Sequence, residues 1–212
     1  MPGGTSKPAG HLTNLENLVP ILQLVGMELP PKEMTDRLLE SYFASVNWFM
    51  MVFHEATFRR GYEILMTSRQ ARRDQRNEVL LVLVVLAIGA RYISEREMEA
   101  NGQICDLEAL RSSLLDKVSE NFLSILDSND LAAVQLCILL SSYYLYYGKP
   151  NLGFIVLGTG LRCAYAMDLH KEVMWGDLEP TTCEERRRVW WALYVFDRYC
   201  WHSISSLTLW LK

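Results

Sequence analysis

The histidines of this chain are the first residues whose type could support chemistry, and their spacing forms no catalytic or metal-binding motif. They are His11, His54, His170 and His202. Glu55 follows His54, but the residue four positions after His54 is Phe58, so the paired-histidine motif of zinc metalloproteases is incomplete. A lone histidine beside aromatic residues is more often a packed, hydrogen-bonded side chain than a ligand. We therefore predict that these histidines are structural.

The cysteines also lack the spacing of a metal site. They are Cys105, Cys137, Cys163, Cys183 and Cys200. Zinc ligands usually stand two to four residues apart, and disulfide frameworks occur in short chains that are dense in cysteine. Neither pattern is present, so we predict free, mostly buried thiols in a reducing compartment, with no cofactor and no metal held by this chain.

Motifs of other enzyme classes are likewise incomplete. Gly158-Thr159-Gly160 does not extend to the dinucleotide-binding GxGxxG pattern, and it lies in a helical pattern rather than after a strand. A nucleophile and its base meet only in the folded protein, so spacing alone supports no such pair. We predict that the chain is not an enzyme.

Four arginines form the most suggestive charged group. Arg69, Arg72, Arg73 and Arg76 follow the i, i+3, i+4, i+7 spacing, which would place them on one face of a continuous helix. Such a face could contact phosphates or a nuclear import receptor. The alternative is a solvated connection between helices, which is favoured because Asp74 and Glu78 dilute the positive charge. The net charge of −4 also opposes direct DNA binding by the chain.

The hydrophobic patterning predicts helices throughout. The helical segments predicted from apolar spacing are about 31–48, 55–65, 77–92, 106–126, 131–147, 151–167 and 182 onward. Asp130 can cap the helix that starts at Leu131, Gly148 can end it in a left-handed conformation, and Pro150 suits the first turn of the next. No persuasive strand appears, so we predict an all-α fold, a single array of about eight antiparallel-packed helices.

Two apolar stretches raise the question of a membrane. Val79–Ala90 has the length of a core helix, and Leu131–Gly148 is uncharged but carries Gln135, serines and tyrosines. The N-terminus has no hydrophobic region of a secretory signal. We predict buried helices and no membrane association.

The last helix has a strong start signal and an unfavourable charge. Thr182–Glu185 has the form of a capping box, and three consecutive arginines follow at 186–188, where positive charge opposes the helix dipole. Stacking of Arg186 on Trp190 and of Arg187 on Trp191 could compensate. In the preceding helix, Arg162 is predicted to be partly buried and to pair with Glu184 or Glu185, because a buried guanidinium needs a carboxylate.

Four segments together resemble a known family. They are EERRRVWWALYVFDR (Glu184–Arg198), LGTGLRCAYAMDLHK (Leu157–Lys171), the stretch Leu38–Tyr62 with its Phe53-His54 and Thr57-Phe58 steps, and LAIGARY (Leu86–Tyr92). Taken in their order along the chain, they resemble the fungal-specific transcription factor domain, the middle homology region of binuclear zinc-cluster regulators such as the xylanolytic ones. Asp168 and Lys171 depart from the family's glycine and arginine.

The resemblance implies a regulatory domain of a nuclear transcription factor. It implies that DNA and zinc are bound only through a six-cysteine module absent from this chain, and that a small-molecule inducer, a coregulator protein or a second copy are candidate partners. The signature and structural residues it assigns are His54, Gly148, Arg162, His170, Glu184, Arg186, Arg187, Arg188, Trp190, Trp191, Asp197 and Arg198. The alternative is a helical protein-interaction or ligand-sensing module unrelated to transcription.

The domain organisation follows from the same comparison. Residues 1–30 are predicted to be a linker with a short helical stretch, residues 31–199 the helical regulatory domain, and residues 200–212 a divergent tail. Beyond Arg198 the family's Gly-Arg-Pro-like continuation is missing. The domain is therefore predicted to be cut short there or to continue into unrelated sequence.

Overall fold

A computed structural model describes residues 18–93 and 106–210, with the backbone alone for residues 201–210. The helices are α1 (Ile21–Val25), α2 (Lys32–Tyr42), α3 (Trp48–Met50), α4 (Glu55–Ser68), α5 (Arg76–Tyr92), α6 (Leu107–Glu120), α7 (Phe122–Ser128), α8 (Leu131–Tyr146), α9 (Pro150–Ala166) and α10 (Pro180–Trp210). A π-helical turn, Phe43–Asn47, joins α2 to α3. The predicted all-α class is confirmed.

Helices α5 and α8 form the centre of the core because they are apolar on every side. Nearly all of Val79–Ala90 is buried, as is Ala132–Leu140 in α8. Helix α5 packs against α2, α6 and α8, while α9 and α10 cover α8. Among the described residues, none of the helices combines the length and hydropathy that crossing a membrane requires.

The α8–α9 hairpin follows the local signals in the sequence. The Asp130 carboxylate accepts a hydrogen bond from the Ala133 backbone N–H at 2.8 Å and caps α8. Gly148 has a φ of 83°, the left-handed conformation that glycine adopts without a Cβ clash. Pro150 is the first residue of α9. The hairpin closes tightly, since a Cβ at Gly160 of α9 would lie 2.6 Å from the Cβ of Cys137 in α8.

A two-stranded sheet is the main departure from the predicted array. Strand β1 (Leu18–Pro20) pairs antiparallel with β2 (Gln70–Arg72), with Val19 opposite Ala71. Each strand has three residues, too few for an alternating pattern to be recognised in the sequence. The predicted short helix in the N-terminal region is α1, and it follows β1 directly. The rest of the predicted linker, residues 1–17, lies outside the described residues.

Two helix boundaries also differ from the sequence prediction. The predicted helix 106–126 is divided at Asn121, whose side-chain amide donates to the Lys117 carbonyl at 2.7 Å. That bond satisfies a carbonyl at the end of α6. Helix α10 begins at Pro180, so the proposed capping box at Thr182–Glu185 lies inside the helix and does not cap it.

Helix α10 continues without a break through the predicted domain boundary at residue 199. Its backbone is helical to Trp210, and Cys200 is 1% exposed. The predicted tail therefore begins within a helix. The side chains of residues 201–210, and residues 211 and 212 entirely, lie outside the described part of the chain.

Candidate regulatory site

Helix α10, which we call the signature helix, is joined to its surroundings by the three consecutive arginines. Arg187 makes a two-pronged contact with the Glu172 carboxylate, at 2.8 and 2.9 Å, and a third contact with Glu184 at 2.8 Å. The Glu184 carboxylate also accepts from Arg188 at 2.8 Å. Such paired charge-assisted bonds fix geometry as well as charge. They connect the first turns of the signature helix to the turn Glu172–Met174.

The other contacts of these arginines are with backbone carbonyls. Arg186 donates to the Met167 carbonyl at 2.9 Å, at the C-terminal end of α9, and its guanidinium lies 5.2 Å from the ring centre of Trp175. Arg188 donates to the Phe53 carbonyl at 3.4 Å. A cation at a helix C-terminus is favoured by the helix dipole. The signature helix is thus linked to α9, to the 172–174 turn and to the segment Met51–His54, which we call the strap.

The predicted stacking of these arginines on the tryptophans of α10 is wrong. Arg186 lies over Trp175, and Arg187 is held by two carboxylates. Carboxylates and helix-end carbonyls are stronger partners for a guanidinium than an indole face in the same helix. Trp191 is 55% exposed.

Trp190 instead forms an aromatic cluster with the end of α9 and the turn after it. Its ring centre lies 5.8 Å from both His170 and Tyr165, and the last two are 4.9 Å apart. Further along the helix, the Arg198 guanidinium lies 5.3 Å from the ring centre of Tyr194. Asp197 is half-buried. The cluster places His170 in a packing role between two elements.

The predicted pairing of Arg162 with Glu184 or Glu185 is wrong. Arg162 is exposed, and no ion pair to it occurs among the described residues. Helix α9 buries the face that contains Gly153, Val156, Leu157, Gly160, Cys163 and Ala164. Arg162 follows Gly160 by two positions, about 200° around the helix, and therefore lies on the opposite side.

The predicted arginine face at 69–76 is also wrong, because the helix does not continue through it. Arg69 ends α4 in a left-handed conformation and donates to the carbonyls of Leu29 and Pro30 at 3.0 and 3.1 Å. Arg72 lies in β2, Arg73 begins a short 3₁₀ turn, and Arg76 begins α5. Pairing of this segment with β1 breaks the periodicity that would align the four side chains. The alternative interpretation, a connection between helices, describes the segment.

His54, in the family motif Leu38–Tyr62, is the N-cap residue of α4 and borders a cavity. The His54 carbonyl accepts the backbone N–H groups of Thr57 and Phe58 at 3.0 Å, and its Nδ1 lies 2.8 Å from the Thr57 hydroxyl. All three residues line a cavity of about 330 Å³ between α4, α5 and α8, which Glu185 of the signature helix also lines. No pattern in the sequence indicated this cavity, nor Glu172 and Trp175 as partners of the arginines.

The described cysteines are free thiols placed in packed regions. Cys137, Cys163 and Cys200 are buried, and Cys183 is half-buried. Burial raises the pKa of the Cys137 thiol to about 12 and that of Cys200 to about 11, so neither is a thiolate at neutral pH. Among the described side chains, residues 18–93 and 106–200, no group of three potential metal ligands comes together. Cys105 lies outside the described residues.

The two carboxylates bound by the signature arginines predict acid sensitivity. Hydrogen bonds from Arg187 hold the pKa of Glu172 below its usual 4.5, and those from Arg188 and Arg187 do the same for Glu184. A carboxyl with a lowered folded-state pKa stabilises the fold above pH 4.5, and this contribution is lost as pH falls through the lowered value. The effect is modest because both groups are solvent-accessible.

We expect the double substitution Glu172→Gln with Glu184→Gln to lower the melting temperature at neutral pH. The difference from the parent chain should shrink towards zero in acid, where the parent carboxylates are also protonated. Thermal melts followed by circular dichroism, from neutral pH into acid, measure this difference in melting temperature. A difference that stays constant into acid would contradict the assignment.

The fold and the site define an all-helical domain whose apolar core helices are covered by an arginine- and aromatic-rich helix, α10. The sequence model of the fungal specific transcription factor domain matches residues 39–205. The chain belongs to this family, which confirms the resemblance found in the four motifs. The match includes the signature helix and the strap, and it extends past the predicted boundary at residue 199.

Curated relatives carry names of transcriptional regulators. The chain is 24% identical over 171 residues to the thiamine repressible genes regulatory protein thi1 of Schizosaccharomyces pombe, covering 81% of this chain and 22% of that protein. It is 29% identical over 175 residues to an ABC-transporter-regulating transcription factor of Aspergillus oryzae, covering 80% and 18% respectively. The chain therefore spans about a fifth of the length of these relatives. No solved structure matches.

Proposed function

We propose that this chain is the regulatory, non-DNA-reading domain of a nuclear fungal transcription factor. The observation that carries the proposal is the family match over residues 39–205, combined with the contacts of its signature arginines. Arg186, Arg187 and Arg188 are bound to carbonyls and carboxylates of the same domain. These arginines therefore support a role in intramolecular contacts that stabilise the domain, rather than a role in contacting DNA phosphates or bases.

DNA and zinc binding are assigned to another part of the complete factor. The net charge of −4 repels the phosphate backbone, and the described residues contain no cluster of metal ligands. In this proposal the domain modulates activation in response to a small molecule, a coregulator protein or self-association. It performs no catalysis, and it acts in the nucleus as part of the factor.

A tethering experiment tests the regulatory role. The chain is fused to an unrelated sequence-specific DNA-binding module and expressed in fungal cells with a reporter gene. We expect reporter output to differ from that of the DNA-binding module alone at equal nuclear abundance. The control carries Arg186→Ala and Arg188→Ala, which removes the links to α9 and the strap and should abolish the difference. Unchanged reporter output from the intact fusion would refute the proposal.

The chain alone is expected to show no sequence-dependent DNA binding. Anisotropy titrations with a panel of duplexes at near-physiological salt measure this directly. Binding that is weak, equal for all duplexes and lost with added salt agrees with the expectation, because it reflects charge alone. Sequence-dependent binding that persists after Arg69, Arg72, Arg73 and Arg76 are changed to Ala would reveal a DNA-reading element elsewhere in the chain.

A further inference from the structure

The cavity between α4 and the core has the size and lining of a small-molecule site. Its volume is about 330 Å³, within the range of about 300–1,000 Å³ that ligand pockets occupy. Phe58 of α4, Val79 and Val82 of α5, and Leu131 of α8 provide apolar walls. Separate helices thus border one largely apolar, partly open space in the family-matched part of the chain.

The cavity depends on the position of α4, which contacts with α2 fix. On the side facing α2, the Tyr62 hydroxyl donates to the Asp36 carboxylate at 2.7 Å, and Arg59 pairs with Glu40 at 2.5 Å. Gly61 of α4 lines the cavity and contributes no side chain to it. A Cβ built on Gly61 has no heavy atom within 4 Å.

The charged groups that line the cavity are acidic. Glu78 lies exposed in α5 and Glu185 lies half-buried in the signature helix, and neither lysine nor arginine is among the lining residues. The neighbouring Glu184 takes the contacts of both Arg187 and Arg188, while Glu185 makes no ion pair with the described residues. Polar groups without a formal charge also line the cavity, among them the amides of Gln70, Gln75 and Gln135.

Charge complementarity therefore defines the ligand class. We propose that this cavity binds an organic amine, with its apolar body against the walls from α4, α5 and α8 and its ammonium group at the acidic lining, Glu78 or Glu185. An ammonium is a donor that a carboxylate can accept, whereas a carboxylate ligand would meet like charge. The biological meaning of this site rests on the proposed regulatory function.

The cavity also touches the segments that the signature arginines hold. Its wall includes Phe53 of the strap, whose carbonyl accepts from Arg188, and the adjacent Val52 carbonyl accepts from Gln135 at 3.0 Å. An occupant would contact Glu185 and the strap together. Binding in this cavity is therefore able to bias the position of the signature helix relative to the core, which is what a regulatory ligand must do.

Three probes that share the same apolar body but differ in the charge of their polar group distinguish binding that requires a positive charge from hydrophobic binding alone. They are phenylbutylamine, phenylbutanol and phenylbutyrate, each titrated by calorimetry into the monomeric chain purified by gel filtration. We expect the amine to bind about tenfold more tightly than the alcohol, the effect of one good charge-assisted hydrogen bond, and the carboxylate more weakly than the alcohol. Equal or tighter binding of phenylbutyrate, or no binding of any probe to the folded chain, would overturn the proposal.

Two kinds of variant locate the binding. Glu78→Gln with Glu185→Gln should lower amine affinity to that of the alcohol and leave alcohol binding unchanged. Gly61→Leu should block all probes that bind, because it fills the cavity. Gly158→Leu is the matched control, since a Cβ at that position in α9 also meets open space and lies away from the cavity.

The outcomes remain informative if one variant misfolds. Circular dichroism verifies each variant, and the double glutamine variant decides the proposal if Gly61→Leu does not fold. Retention of the amine preference in the double glutamine variant overturns it, as does probe binding by a folded Gly61→Leu chain. Probe binding is measured on the purified chain, without transcription. A failure of the probes to bind therefore does not contradict the proposed regulatory role, and a negative tethering experiment does not contradict binding in the cavity.

Discussion

Replacing Gly89 by alanine is expected to destabilise the domain by about 3 kcal/mol or more, the upper end of overpacking effects. Gly89 lies in α5 where α2 crosses it, and the Ser41 hydroxyl donates to the Gly89 carbonyl at 3.0 Å. A Cβ at this position would lie 1.9 Å from the Leu38 carbonyl oxygen. Because the obstacle is backbone, no side-chain rotation relieves the clash, and α2 must move away from α5.

Urea unfolding measures this change, and α9 offers a matched control. Gly158 is also inside a helix, but a Cβ there meets no heavy atom within 4 Å. We therefore expect Gly158→Ala to be neutral or to stabilise by up to about 1 kcal/mol, the helix propensity of alanine over glycine. If Gly89→Ala unfolds at the same urea concentration as the parent chain, the close approach of α2 and α5 is incorrect.

Replacing Asn77 by alanine is the second substitution with a large expected effect, about 2–3 kcal/mol of destabilisation. Asn77 is 5% exposed near the start of α5. Its amide nitrogen lies 3.3 Å from the Ile125 carbonyl, 2.5 Å from the Ser128 hydroxyl and 3.0 Å from the Asp130 carboxylate. One buried side chain thus joins α5 to the corner between α7 and α8, and its replacement removes all of these contacts at once.

Asn151→Ala is the control for this prediction. Asn151 is exposed in the first turn of α9 and makes no side-chain hydrogen bond with the described residues. We expect its replacement to change the free energy of unfolding by no more than about 0.5 kcal/mol. Equal effects of the two substitutions in denaturant unfolding would show that the Asn77 contacts do not hold the corner.

The helices were predictable because the signals that form them are local. The runs in α5 and α8 are apolar on every side, and Asp130, Gly148 and Pro150 mark the cap and the turn of the hairpin within a few residues. A helix depends on groups three and four positions apart, so its position can be inferred from a short window of sequence. The family motifs lie on these helices, and they were recognisable for the same reason.

The partners of the long charged side chains were decided by the tertiary structure alone. Arg186 and Arg188 have reach enough for many acceptors, and the carbonyls they contact belong to Met167 and Phe53, the latter more than a hundred residues away. Arg162 was predicted to be partly buried and paired with a carboxylate, yet it lies opposite the packed face of α9 and is exposed to solvent. An i, i+4 window contains no information on which distant group lies opposite.

The same limit explains the arginine segment and the cavity. The spacing of Arg69 to Arg76 is helical, but pairing with β1, about fifty residues earlier in the chain, replaces the helix with a strand. In the sequence, Gly61 indicates only a residue that destabilises a helix. Its place in the lining of the cavity depends on the separation of α4 from α5 and α8. The sequence determined where helices form, because that is a local balance of backbone hydrogen bonds and burial. The tertiary structure decided which surfaces meet and which stay apart, because that depends on groups far apart in the chain competing for the same space.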